Sequence, residues 1–179
     1  GLLDLSRMEA GHVQVTLNPV DVNDVLRNVS ELFALRAHEL EVRLEAIEAE
    51  DLPTVRGDVD RLEQVLANLV DNALRHTPPG GNVVLSARRE SPGSVGIAVA
   101  DTGAGIPEAD IPHLFDRYFR SDRPGSGGGT GLGLAIAREL VRVQKGDIQV
   151  ESREGVGTTF RILLRVARPA GTTAPQEFS

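Results

Sequence analysis

The apolar, β-branched run Val95-Gly96-Ile97-Ala98-Val99-Ala100 ends in Asp101-Thr102-Gly103-Ala104-Gly105-Ile106-Pro107. A short way on, Gly129-Thr130-Gly131-Leu132-Gly133 opens into Leu134-Ala135-Ile136-Ala137-Arg138-Glu139-Leu140-Val141, a segment with helical spacing. No other feature constrains the fold as much. A strand must deliver a carboxylate to its own end with flexible backbone behind it, and a glycine turn must feed a helix. The first N–H groups of a helix lack intrahelical partners, so the second turn offers them to whatever the glycines admit. Phosphate suits that helix end and an amino group suits the acid, so the two turns together read as a nucleotide site. A dinucleotide fingerprint needs a strand directly before its glycines, whereas Gly129 follows a polar stretch rich in Gly, Ser and Pro.

The chain of 179 residues suffices for one substantial core, read here as a single domain over 12–167 with a helix end or linker at 1–11 and an unstructured tail at 168–179. A formal charge of -7 argues against a nucleic-acid partner, because a polyanion needs a basic stripe aligned with its phosphates. Without Cys there is no disulfide framework and no thiolate metal site, and His12, His38, His76 and His113 lack ligand spacing. Neither a membrane span nor a signal peptide is visible, so the domain is expected in the cytoplasm.

Alternation and periodicity predict a strand at 14–17, a helix capped by Asn23 that buries Val25, Leu26, Val29, Leu32, Phe33 and Leu40, and a half-exposed strand carrying Val42, Leu44 and Ile47. A strong helix follows at 60–77, stopped by Pro78-Pro79-Gly80-Gly81, with strands at 83–88 and 95–100. Residues 121–129 are too polar to pack and are expected to form a lid; strands at 147–151 and 158–166 close a hairpin around Gly155-Val156-Gly157. On the 60–77 helix, Leu62, Val65, Leu66, Leu69 and Ala73 form one apolar stripe, and Asn68, Asn72 and Arg75 fall within about 60° of one another along its edge. An amide oxygen suits Mg²⁺ beside phosphate oxygens and water, and Arg75 suits phosphate charge.

Five segments then resemble, in order, the boxes of sensor histidine kinases. Asn68-Leu69-Val70-Asp71-Asn72-Ala73 is similar to the N box and Asp101 through Pro107 to the G1 box. Leu114-Phe115-Asp116-Arg117-Tyr118-Phe119-Arg120 resembles the F box, Gly129 through Leu134 the G2 box, and Gly155-Val156-Gly157-Thr158-Thr159-Phe160 the terminal glycine motif. The resemblance spans about 13–166. It implies an α/β two-layer sandwich of the Bergerat ATP-binding type, a mixed sheet packed on about three helices with an ATP lid, as in gyrase, the MutL repair protein and the heat-shock chaperone ATPase. It also implies ATP and Mg²⁺. Asp101 would take the adenine amino group and Gly105 would lie in the adenine pocket, with Gly103, Ile106 and Thr159 also in the nucleotide site. Asn72 would hold Mg²⁺ with Asn68 near the metal and its waters, Arg75 and His76 would face the phosphates, and Arg120 would approach the γ-phosphate. Gly129, Thr130, Gly131, Leu132 and Gly133 would cradle the phosphate chain. Asn68, Asn72 and Arg120 are the implied catalytic residues.

Such a kinase phosphorylates a histidine on a separate helical dimerisation domain and passes the phosphoryl to a response-regulator receiver domain. The phosphoacceptor pattern, a His-Glu/Asp-Leu-Arg box followed by Thr-Pro, is absent here: His38-Glu39-Leu40-Glu41 continues into Val42-Arg43 inside the ATP-binding region. Residues 4–11 resemble the last turns of a dimerisation helix, so the chain is expected to be part of a larger kinase, a homodimer when whole and a monomer as this piece; many such kinases are anchored in the inner or cell membrane, and the sequence leaves open whether this one's parent is. Three rivals stand beside this reading. A gyrase- or MutL-type ATPase needs a water-activating Glu where Asn68 stands; an anti-sigma serine kinase lacks the long F box; a nucleotide-binding regulatory module would bind without transfer.

Overall fold

A computed structural model describes residues 13–120 and 129–168. The helix end expected at 1–11, the lid residues 121–128 and the tail beyond 168 lie outside the described residues. In chain order the elements are β1 (Asn18–Val20), α1 (Val22–Glu39), β2 (Arg43–Ile47), β3 (Val55–Gly57), α2 (Val59–His76), β4 (Asn82–Ser91), β5 (Ser94–Asp101), a 3-10 turn (Ile111–His113), α3 (Gly133–Val143), β6 (Asp147–Arg153) and β7 (Gly157–Arg165).

The main sheet has five strands in the order β2-β4-β5-β7-β6. Only its β2–β4 pair is parallel, which makes the sheet mixed as expected. Strand alternation turns Val83 and Leu85 of β4, Val95, Ile97 and Val99 of β5, and Phe160, Ile162 and Leu164 of β7 to one buried face. Three helices cover that face, so the sandwich has two layers. Helix α2 packs on β4 and β5 and touches both other helices, which explains why it buries Leu62, Val65, Leu66, Leu69, Val70, Ala73 and Leu74 at helical spacing. Each fully buried Leu there contributes about 1.5–3 kcal/mol through area removed from water.

Several local expectations are corrected. The strand foreseen at 14–17 is absent; residues 18–20 form β1 instead and pair antiparallel with β3, a strand not foreseen. Both are three residues long, too short to show alternation. Asp21, not Asn23, caps α1 by accepting the Asn23 N–H at 2.9 Å, while the Asn23 amide exchanges two bonds with the Ala49 backbone and ties the loop after β2 to the helix. Leu32 is 72% exposed, so the buried face of α1 runs through Val22, Val25, Leu26, Val29 and Ala37. Ile47 also faces solvent, because β2 turns Leu44 and Ala46 inward. Helix α2 begins before Asp60: Asp58 caps it from the Arg61 N–H at 3.2 Å and also accepts the Thr16 N–H at 2.8 Å. No helix among the described residues is long and apolar enough to cross a membrane.

Candidate functional site

Asp101 ends β5 opposite Thr158 of β7, and alternation from Ile97 and Val99 turns its side chain to the helix-covered face. Its Oδ1 accepts the Gly103 N–H at 2.8 Å, one bond that holds the start of the first glycine turn. Burial pushes the carboxyl above the usual carboxylate range, and the Gly103 and then the Thr158 backbone N–H oppose that push. A half-buried acceptor at the rim of the core is well placed for a donor on a flat apolar ring.

The first turn is clamped from two sides. A Cβ on Gly103 would stand 2.4 Å from the His76 carbonyl oxygen, so the turn abuts the C-terminal end of α2. From the other side, the Gly155 N–H donates to the Ala104 carbonyl at 2.7 Å and the Ile106 N–H to Ser152 Oγ at 2.8 Å. Ser152 also donates to the Gly157 carbonyl at 3.1 Å and shares a 2.8 Å hydrogen bond with Thr158 Oγ1. Gly105 is the tightest point: its φ is +69° and a Cβ would lie 2.1 Å from the Arg153 carbonyl oxygen. Left-handed strain and this overlap together predict that Gly105→Ala lowers stability by about 3 kcal/mol and weakens nucleotide binding. A thermal melt checks it; a midpoint equal to the parent's would refute the close approach.

The second turn meets the polar edge of α2. Asn68 Nδ2 donates to the Gly133 carbonyl at 3.1 Å, which orients the amide and leaves its oxygen as an acceptor. A Cβ on Gly129 would stand 3.0 Å from Arg75 Nη1, so the guanidinium lies directly beneath the turn. Gly131, at φ +71°, accepts the Tyr118 N–H at 2.9 Å, and a Cβ there would come within 2.7 Å of Tyr118 Cα. That contact pins the F-box segment to the turn. Phe115 seats the segment further, edge-on to Phe160 and beneath the Arg138 guanidinium. Leu132 caps α3 without a side-chain bond, so no cap side chain among the described residues takes up the first N–H groups of this helix.

The amide of half-buried Asn72 engages no partner among the described residues and can take a ligand. His76 keeps an exposed surface, yet local burial first and the Arg75 charge second hold its imidazole below the ordinary range. The structure therefore brings Asn68, Arg75, Gly129 and Gly133 together at one end, and Asp101, Gly103, Gly105, Ile106 and the His76 backbone at the other. Thr130 is exposed on the turn, and Arg120 is exposed just beyond Tyr118, without a described contact to the glycines. Thr159 pairs with Ala100 and its side chain falls on the sheet face away from Asp101, while Thr158 is the threonine beside the carboxylate. Sequence reasoning named Thr159 for the nucleotide site and did not single out Thr158, which is the one that faces Asp101. It also missed Ser152, whose role rests on a contact 46 residues away in sequence.

Comparison with known proteins agrees with this geometry. Residues 57–168 match the family described as histidine kinase-, DNA gyrase B-, and HSP90-like ATPase. The chain is 42% identical over 176 residues to the sensor protein DivL of Caulobacter vibrioides, covering 98% of this chain and 22% of that protein. It is 34% identical over 167 residues to the adaptive-response sensory kinase SasA of Synechococcus elongatus, covering 93% of this chain and 43% of that protein. The chain thus spans less than half the length of either relative. Among solved structures, full-length ShkA in complex with AMPPNP superposes with a TM-score of 0.83 at 33% identity, over 94% of this chain and 35% of that one. The mycobacterial sensor histidine kinase MprB gives a TM-score of 0.74 at 30% identity, over 83% of this chain and 98% of that one. The chain belongs to the histidine kinase-, DNA gyrase B- and HSP90-like ATPase family, within which it is the ATP-binding catalytic domain of the sensor histidine kinases.

Proposed function

We propose that this domain binds Mg·ATP and donates the γ-phosphoryl group to a histidine on a separate dimerisation domain, from which a receiver domain takes it. The observation that carries the reading is the meeting of Asn68 and Arg75 with the second glycine turn, while Asp101 holds the first. Adenine would dock on the Asp101 carboxylate with Thr158 beside it, and the phosphates would run toward the open N–H groups of α3. The donor set at that end fits a hard divalent cation, since the Asn72 amide is uncommitted and Asn68 has its oxygen free. Bound there, Mg²⁺ would neutralise charge on the phosphate oxygens. Arg75 would hold the phosphate chain from beneath the turn, and Arg120 would approach the γ-phosphate.

In the transfer, an imidazole nitrogen of the acceptor bonds to the γ-phosphorus, the bond from that phosphorus to the β–γ bridging oxygen breaks, and ADP leaves with the electron pair. The domain's share is positioning and charge neutralisation. Asn68 provides no carboxylate to activate water, which favours transfer over hydrolysis.

The test supplies the histidine-bearing helical domain of the full-length protein in trans with γ-labelled Mg·ATP. Acid-labile label on that domain and little on this chain is the expected outcome. Strong histidine labelling of the isolated chain, or no transfer by protein that binds ATP, would contradict the reading.

A further inference from the structure

Arg75 reaches the second glycine turn with only part of its guanidinium. Its Nη2 donates to Asp71 Oδ2, one turn back on α2, while Nη1 is the atom that lies beneath Gly129. The other oxygen of Asp71 is also taken: Oδ1 accepts from Arg36 Nη1, on the neighbouring helix α1. Asp71 and Arg75 are both about three-quarters buried, with side-chain exposures of 28% and 25%, whereas Arg36 is nearly half exposed at 45%. The carboxylate is thus spanned between two helices, and its two oxygens hold two different guanidinium groups.

We propose that Asp71 is a positioning residue for phosphate recognition: anchored by Arg36, it fixes the Arg75 fork so that Nη1 faces the phosphates. The physical ground is the shape of arginine. A free Arg side chain samples many rotamers, and ordering it on a ligand costs free energy that a pre-formed ion pair removes in advance. A planar fork with one nitrogen held by a carboxylate leaves the other in a set direction, which the compact ammonium of lysine cannot do. An unaided carboxylate this close to a triphosphate would repel it. The second guanidinium offsets that charge, so the Arg36–Asp71–Arg75 group carries a net +1 toward the turn. Helix α1 enters the site through Arg36 without touching nucleotide.

The inference rests on the Mg·ATP reading, and the experiment separates the two. ATP and adenosine are titrated into the parent chain, Asp71→Asn, Arg75→Gln and the double variant. Loss of Arg75 aim is expected to weaken ATP about 5- to 10-fold in Asp71→Asn, the scale of one misdirected charge-assisted hydrogen bond, with adenosine affinity unchanged. In the Arg75→Gln background the same substitution is expected to change ATP affinity less than about 2-fold, because residues that act through one another do not add. Unchanged or tighter ATP binding by Asp71→Asn would overturn the proposal and make Asp71 a mere charge screen. An equal loss of adenosine, or an equal loss in the Arg75→Gln background, would overturn it in favour of a general fold effect. If Arg75→Gln itself binds ATP as the parent does, the phosphate role of Arg75 falls, and the role of Asp71 falls with it.

Discussion

Asp101→Asn is expected to weaken ATP about 10- to 100-fold, the effect of removing a charge-assisted hydrogen bond worth about 1.5–3 kcal/mol. The substitution keeps the size of the side chain and one acceptor oxygen, so the Gly103 N–H that now donates to Oδ1 at 2.8 Å retains a partner. What changes is the charge that would meet the adenine amino group, and an amide in the wrong rotamer would present a donor to a donor. Adenosine and ATP are expected to lose affinity together, because the loss lies at the base and not at the phosphates. Competition against a fluorescent ATP analogue measures it. Binding equal to the parent's would remove Asp101 from the site.

Asn72→Asp is expected to lower phosphotransfer by about 100-fold or more, the scale on which one misplaced electrostatic contact to a reacting group is felt. The fold should survive, since the Asn72 side chain is half-buried and bonds to nothing among the described residues, so a nearly isosteric replacement breaks no contact. The added carboxylate would draw the metal closer and repel the phosphates, which disturbs both halves of Mg·ATP at once. Transfer to the dimerisation domain and a thermal melt separate chemistry from stability. Normal transfer by the variant would take Asn72 out of the reaction.

The parts of this site that were legible in the sequence are those whose geometry is local. Asn68, Asn72 and Arg75 share an edge because they sit four and three residues apart on one helix, and the structure places Asn68 and Arg75 against Gly133 and Gly129. Likewise β5 reads directly from its β-branched run, and Asp101 follows at its end. Where long-range pairing decides, sequence alone falls short. The phase of β7 is set by its register with β5, which puts Thr158 and not Thr159 beside Asp101. Leu32 fits the apolar spacing of α1 as well as Val29 does, yet no element among the described residues covers it, and it stays exposed. Asp71 shows nothing in the sequence beyond a charge one turn before Arg75, because its second partner is Arg36 on another helix. The two short strands β1 and β3 exist through each other and the Val55–Val166 bridge, not through any pattern of their own.

Calorimetric titration of the purified chain with ATP, in the presence and absence of Mg²⁺, tests the central claim most directly. Saturable binding at one site, strengthened by Mg²⁺, is the result expected if Asp101 takes the base and the uncommitted Asn72 amide stands near the phosphates. Folded protein that takes up no ATP under either condition would contradict it.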